Sequence, residues 1–294
     1  MIDINVVIGV ALALLGAVCL NVGKGLEKMK VHVFAQGWGM FKSPHNKDLG
    51  VWLLGMCMTF SFGVFTWIAM RFVNNPSLVT AMNGFGLVAL VLFAVRVIGE
   101  HINARELTGI GIIIVSTVVM TYFQAPTESE ESFKLSALII GSLVPIGFFG
   151  LLSLYALKTR KLHGFSFGAL SGACNALPSM LLKVSWIVVG PAATVFEQLK
   201  HPYLYVALLI GIAATATTQV GFWRDRAIIV VPTFVSFNMI IPAVLEYFVF
   251  GVTLSTIQYI AMACIIGGVI FLCISTPEEV LAVELEGKDT KAAE

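Results

Sequence analysis

Apolar runs of about twenty residues follow one another along this chain, and that is roughly the length one helical crossing of a bilayer needs. Little lies between them but short, charged connections. Of the 294 residues, 58% are apolar and only 12% charged, against roughly 25% charged in a soluble domain. The chain is therefore expected to be an integral membrane protein. That excludes a cytosolic enzyme, and a net charge of +1 excludes a nucleic-acid binder. The five cysteines (Cys19, Cys57, Cys174, Cys264, Cys273) sit in apolar runs without paired spacing and read as small hydrophobes.

Since backbone groups in lipid must be satisfied within each segment, every long run is read as a helix. Spans are expected near 5–24, 50–72, 77–98, 104–124, 134–157, 165–188, 203–224, 229–250 and 254–274, nine in all. Asn103-Ala104-Arg105-Glu106 has the form of a capping box opening the fourth. Met1-Ile2-Asp3 lacks the basic stretch of a signal peptide, so the first run is expected to remain as a helix. Fourteen Lys and Arg fall on one side of these spans and three (Arg71, Lys134, Lys200) on the other, with Lys183 inside a span. The positive-inside rule then puts the N-terminus outside and the C-terminus in the cytoplasm. Val31, Phe34, Trp38, Met40 and Phe41 interleave with Lys30 and Lys42, as in a segment lying at the headgroup level. The acidic tail over 277–294 reads as a solvated end.

Shifting the sequence by 156 positions aligns Ala13-Leu14-Leu15-Gly16-Ala17 with Ala169-Leu170-Ser171-Gly172-Ala173, Leu53 with Leu209, and Trp67 with Trp223. The same shift aligns Pro76-Ser77-Leu78-Val79-Thr80 with Pro232-Thr233-Phe234-Val235-Ser236, while Gly99 meets Gly251 at an offset of 152. The fold expected is thus all-α and polytopic, with an inverted four-helix repeat. Helices one to four (1–126) match helices six to nine (165–276), and helix five (127–164) joins them. Because five helices separate the two starts, the second copy enters from the opposite face. Such repeats characterise secondary transporters, whose substrate sits near the midplane and whose access alternates.

Four stretches carry a family likeness: Gly23-Lys24-Gly25-Leu26-Glu27-Lys28; Pro76-Ser77-Leu78-Val79-Thr80; Gly99-Glu100; and Thr218-Gln219 followed by Arg226-Ala227. On these residues the chain resembles the drug/metabolite transporter superfamily, and within it the NIPA-type magnesium transporters. Asp225 and Ile228 stand where that family has Asn and Leu, and Ala81 follows Thr80 in place of its proline. The resemblance implies nine helices, an external N-terminus and Mg2+ as the substrate.

Charges and amides in hydrocarbon need a partner or a role. Glu246 and Lys183 fall inside the eighth and sixth spans at similar expected depth. Three readings stay open for them: a structural ion pair, a snorkelling Lys183 beside a protonated Glu246, or a Glu246 that takes up a coupling proton or metal cation. Asn21, Asn83, Asn175, Gln219 and Asn238 are candidate substrate ligands, since amide oxygens suit a cation or its waters and amide NH2 groups suit a polar metabolite. Interhelical hydrogen bonding is the plainer alternative. Asn83 and Asn238 stand near matching repeat positions. Gly168-x-x-x-Gly172-x-x-x-Ala176 reads as a packing stripe. Pro145, Pro178 and Pro242 read as hinges or simple kinks whose freed carbonyls can line a cavity, and Arg224-Asp225-Arg226 as an interfacial charge cluster, with a gate latch as the alternative.

One deep carboxylate is thin for a bare Mg2+, which favours carboxylate oxygens and holds its waters. The alternative is a proton-coupled carrier of a small organic metabolite or cationic drug, with Phe60, Phe62, Phe65, Trp67, Trp223 and Tyr247 as aromatic walls; a passive channel ranks lower. The five histidines show no metal-ligand spacing and no catalytic motif is present, so neither an enzyme nor a cofactor is expected. The expected setting is the plasma or cell inner membrane, and a homodimer is left open. Glu246→Gln should alter transport far more than folding. Normal uptake at every pH by the folded variant removes the coupling reading.

Overall fold

Helices make up 92% of the described residues of the computed structural model, and no strand occurs among them. The residues described are 4–35, 46–72, 76–123, 133–159, 161–189, 197, 200–251 and 253–274. Among them run α1 (Ile4–Lys30), α2 (Asn46–Phe72), α3 (Pro76–Phe93, ending in a π turn over Ala94–Ile98), α4 (Ala104–Tyr122) and α5 (Leu135–Thr159). They are followed by α6 (His163–Val189), α7 (Pro202–Arg224), α8 (Ala227–Phe250) and α9 (Thr256–Ile274). Six, namely α1, α2, α5, α7, α8 and α9, are long and apolar enough to cross a membrane. Their outer faces carry side chains such as Leu151 and Ile274, 71% and 76% exposed. A soluble monomer does not show apolar surface on that scale.

The chain divides into two packed units. The first comprises Met1–Gln124, Phe222–Pro232 and Thr256–Glu294, and the second Ala125–Gly221 and Thr233–Ser255. The first unit thus gathers α1–α4, α9 and the corner joining α7 to α8, so its limits follow packing rather than the repeat boundary.

Within the first unit, glycines set the crossings, because helices in lipid associate by close packing. Gly16 faces Phe62 and Phe65, while Gly23 faces Gly55 and Thr59; numbering rises on one helix as it falls on the other, so α1 and α2 are antiparallel. Gly86 lies against Ala17 and Asn21, and Gly25 against Phe93, so α1 and α3 are parallel. Gly109 meets Gly268 and Leu272, and Gly268 meets Ile112 and Ile113; α4 and α9 are antiparallel.

In the second unit Gly141 meets Leu245 and Phe149 stacks edge-on against Phe237 with ring centres 4.7 Å apart, which makes α5 and α8 antiparallel. Gly172 brings α6 onto Phe234, Phe237 and Asn238 of α8. That supports the packing reading of the Gly172 stripe, and Ala173 and Ala176 are fully buried beside it.

Helix ends follow local chemistry. The Asn103 amide donates to Glu106 Oε2 at 2.9 Å and the Glu106 amide to Asn103 Oδ1 at 2.8 Å, the reciprocal box expected from the sequence. Gly99 (φ 81°) and Gly251 (φ 77°), the pair aligned by the repeat, both take the left-handed conformation at a helix end, where a side chain would be strained.

Two expectations shift. The first helix runs past residue 24 to Lys30, so Lys24, Glu27 and Lys28 are helical. Val31 and Val33 are buried, not spread at a headgroup layer, whereas Phe34 is exposed and stands edge-on to Trp52. Trp38, Met40, Phe41 and Lys42, and the tail over 277–294, lie outside the described residues.

The glycines offer a controlled test. A Cβ at Gly268 would sit 3.0 Å from Ile113 Cγ1, whereas at Gly267 it would meet nothing within 4 Å. Gly268→Leu should cost about 1–3 kcal/mol by overpacking and Gly267→Leu under about 0.5 kcal/mol, read as thermal unfolding in detergent.

Candidate functional site

Polar side chains meet at several helix contacts within each unit. In the second, Asn175 of α6 donates through Nδ2 to Asn238 Oδ1 of α8 at 2.9 Å. The bond uses one atom of each amide. Four residues after Cys174 comes Pro178, and four after Asn238 comes Pro242. Proline has no N–H, so the carbonyls of Cys174 and Asn238 lack their helical donor. Ser179 Oγ takes up the Asn175 carbonyl at 3.0 Å. Two amides therefore meet at the α6–α8 crossing, and each has a proline-freed carbonyl at its own or the preceding residue. The group is uncharged and rich in acceptors.

The Thr218-Gln219 pair serves differently. Thr218 is fully buried and shares a hydrogen bond with Ser171, which also donates to the Ala214 carbonyl at 2.7 Å. Thr218 thus ties α6 to α7, and Gln219 beside it is half-buried. Glu246 is half-buried four residues from the end of α8. The side chains of Lys183 and Asn83 lie outside the described residues.

In the first unit Asn21 is fully buried. Its Nδ2 donates to Ala17 O of its own helix at 2.9 Å, its Oδ1 has no partner, and Gly86 of α3 packs against it. The α1–α3 contact thus carries a buried amide, while the amides at the α6–α8 contact are half-buried.

A second, charged assembly in the first unit surrounds the two-residue corner between α7 and α8. Lys28 Nζ donates to the carbonyls of Phe222, at 2.5 Å, and of Asp225. Glu100 accepts from the amides of Ala227 at 2.7 Å and Ile228 at 3.2 Å. Arg226 grips Glu106 through both terminal nitrogens, at 2.9 and 3.2 Å, and donates to the His101 carbonyl at 2.7 Å. Below them Thr59 donates to Glu27 at 2.5 Å, with Lys24 at 4.0 Å. Lys24, Glu27, Lys28, Glu100, Glu106, Asp225 and Arg226 are all buried, so Asp225 and Arg226 are not the solvated interfacial charges expected from the sequence; Arg224 alone of that triplet is exposed. Burial raises the Glu100 carboxyl above its ordinary value, while Lys28, the Ala227 and Ile228 amides and Arg226 pull it back.

Sequence reasoning passed over Lys24, Glu27, Lys28 and Glu106 as site residues. The signal available was the glycines at 23, 25 and 55, which let backbones close around a polar cluster. The aromatic walls do not assemble: Phe60 and Tyr247 face outward, Phe62 and Phe65 pack on Gly16, and Trp223 stacks with His32 at 5.4 Å. Trp67 lies outside the described side chains. No group of three or more His, Cys, Asp or Glu able to hold a metal occurs among the described residues.

A scan against protein-family models and searches of curated proteins and of solved structures find no match to this chain.

Two outcomes follow for the charged corner. Glu106→Gln leaves Arg226 buried without its counter-charge and should destabilise the protein by about 3–5 kcal/mol, measured by denaturant unfolding in detergent. Glu100 has a folded value raised above 4.5. Its stabilising contribution is therefore fully present below the unfolded value and is lost as pH rises through the folded one. Melting temperature should fall as pH rises from 4.5 through the raised folded value in the parent protein, and Glu100→Gln should flatten that fall.

Proposed function

We propose that the chain is a secondary membrane transporter of the drug/metabolite type that works by alternating access, with Mg2+ or a related divalent cation as its substrate. In this reading all nine helices span the membrane as an inverted repeat, the N-terminus outside and the C-terminus in the cytoplasm. The antiparallel α4–α9 contact supports it, because helices four and nine are equivalent and an in-plane twofold reverses one relative to the other. The setting is the plasma or cell inner membrane, with no catalytic role.

The observation that carries the proposal is the Asn175–Asn238 pair beside two proline-freed carbonyls. Polar groups placed in a helix contact at membrane depth mark a pathway for polar cargo, and unwound or interrupted backbone is tolerated there only when it lines a cavity or is covered by protein. Mg2+ as the cargo rests on the resemblance of the four short motifs. Uncharged oxygens suit the ion with much of its water shell retained, since Mg2+ dehydrates reluctantly. Glu246 would supply the coupling charge or a metal contact, tuned by Lys183, and Gln219 a further polar contact; Asn21 and Asn83 are the ligand candidates of the first unit.

The lack of an acidic cluster among the described residues favours a second reading, a proton-coupled carrier of a small organic cation or metabolite whose N–H groups the same acceptors would hold. Reconstitution in proteoliposomes separates the two. Saturable Mg2+ uptake supports the first reading. Countertransport of protonated amines or metabolites without a Mg2+ signal replaces it with the second, and non-saturable flux makes the protein a channel. Asn175→Ala and Asn238→Ala should each lower uptake by about tenfold, the order expected when a polar contact to the cargo worth about 1.4 kcal/mol is lost, and, since each also breaks the Asn175–Asn238 bond, melting temperature is read beside uptake.

A further inference from the structure

Helix α8 carries Asn238 and Pro242, and its first turn is held by groups that belong to other helices. The corner before it has only Asp225 and Arg226 between α7 and α8, so the carbonyl end of one helix and the amide end of the next crowd together. Lys28 meets the carbonyl end and Glu100 the amide end. Each sign is the one the helix dipole favours. Asp225 Oδ1 accepts the Arg226 amide at 2.8 Å, and Arg226 carries the corner to the capping box of α4. An apolar corner of the same shape would avoid burying these charges, which is costly.

Pro232 follows Ile228 by four residues, so the Ile228 carbonyl has no helical donor and the ladder lacks a bond just beyond the held turn, as it does again at Pro242. Missing bonds at a proline are where helices bend. The arrangement is a fastened first turn, a weak point, and then the length of helix that bears Asn238.

We infer that Glu100, with Lys28, is a positioning residue. By fixing the first turn of α8 it makes Pro232 the place where the helix bends, and so sets the rate of the transport step rather than the affinity for cargo. This rests on the transporter reading proposed above. No ligand contact by Glu100 is involved.

Hydrogen–deuterium exchange on the parent protein tests the fastening without any transport. The Ala227 and Ile228 amides, which in a helix's first turn have no intrahelical partner, should exchange at least about tenfold slower than the free first-turn amides of α5, as charged acceptors bind more strongly than water. Equal rates overturn the inference. In proteoliposomes with Mg2+ as the probe, Glu100→Gln and Lys28→Met should lower maximal uptake about tenfold, with half-saturation changed less than about twofold, and Glu100→Asp should recover part of the rate. A raised half-saturation with unchanged maximal uptake overturns it, because that marks a ligand contact. A parent protein with protected amides but no flux of Mg2+ or of organic cations removes the transporter reading and, with it, the rate role, while leaving the fastening in place.

Discussion

A helix that ends inside a membrane protein leaves amides or carbonyls without partners, and lipid offers none. In this chain the demand is met across long sequence distances. Glu100 supplies the amides of a helix that begins 127 residues later, and Arg226 joins the cap of α4 from 120 residues away. The side chains that close these ends are charged, so they must also balance one another. Lys28, Glu100, Glu106, Asp225 and Arg226 are therefore interdependent, and their burial follows from one another. The glycines of α1 and α2 belong to the same solution, since they bring the backbones close enough to enclose Glu27 and Thr59.

Much of the fold is legible in the residues. Apolar runs of the right length give helices, and six of them have the length and composition of membrane crossings. The capping box at Asn103 and Glu106 is a purely local device and forms as read. The helix ends at Gly99 and Gly251 are legible because only glycine takes a positive φ without strain there. Partners distant in sequence are not legible. Lys24, Glu27 and Lys28 look like the solvated end of a span because hydropathy counts each charge alone, yet the helix continues to Lys30 and buries them against one another and against α2 and the α7–α8 corner. Asp225 and Arg226 mislead for the same reason.

The candidate site was legible by type and not by arrangement. Amides at 175 and 238 stand out in apolar runs, but that they bond each other follows from the Gly172 crossing, which a sequence does not display. The prolines at 178 and 242 gain meaning only beside them, each freeing a carbonyl next to one amide. The result is a neutral contact of two amides, and the charged groups lie apart from it in sequence, at Glu246 and at the corner that holds the first turn of α8. In the proposed transporter, packing and cargo binding would draw on the same few polar groups, which is why their substitution must be read in both folding and flux.

Native Cys174 offers the most direct measurement, because it lies beside Asn175 and supplies one of the freed carbonyls. With the other four cysteines replaced, the protein in sealed, oriented vesicles can be treated with a membrane-impermeant thiol reagent from either face. Alternating access predicts that Cys174 is modified from both faces and that saturating Mg2+ slows the reaction on both. Modification from one face only, or none from either, contradicts the account.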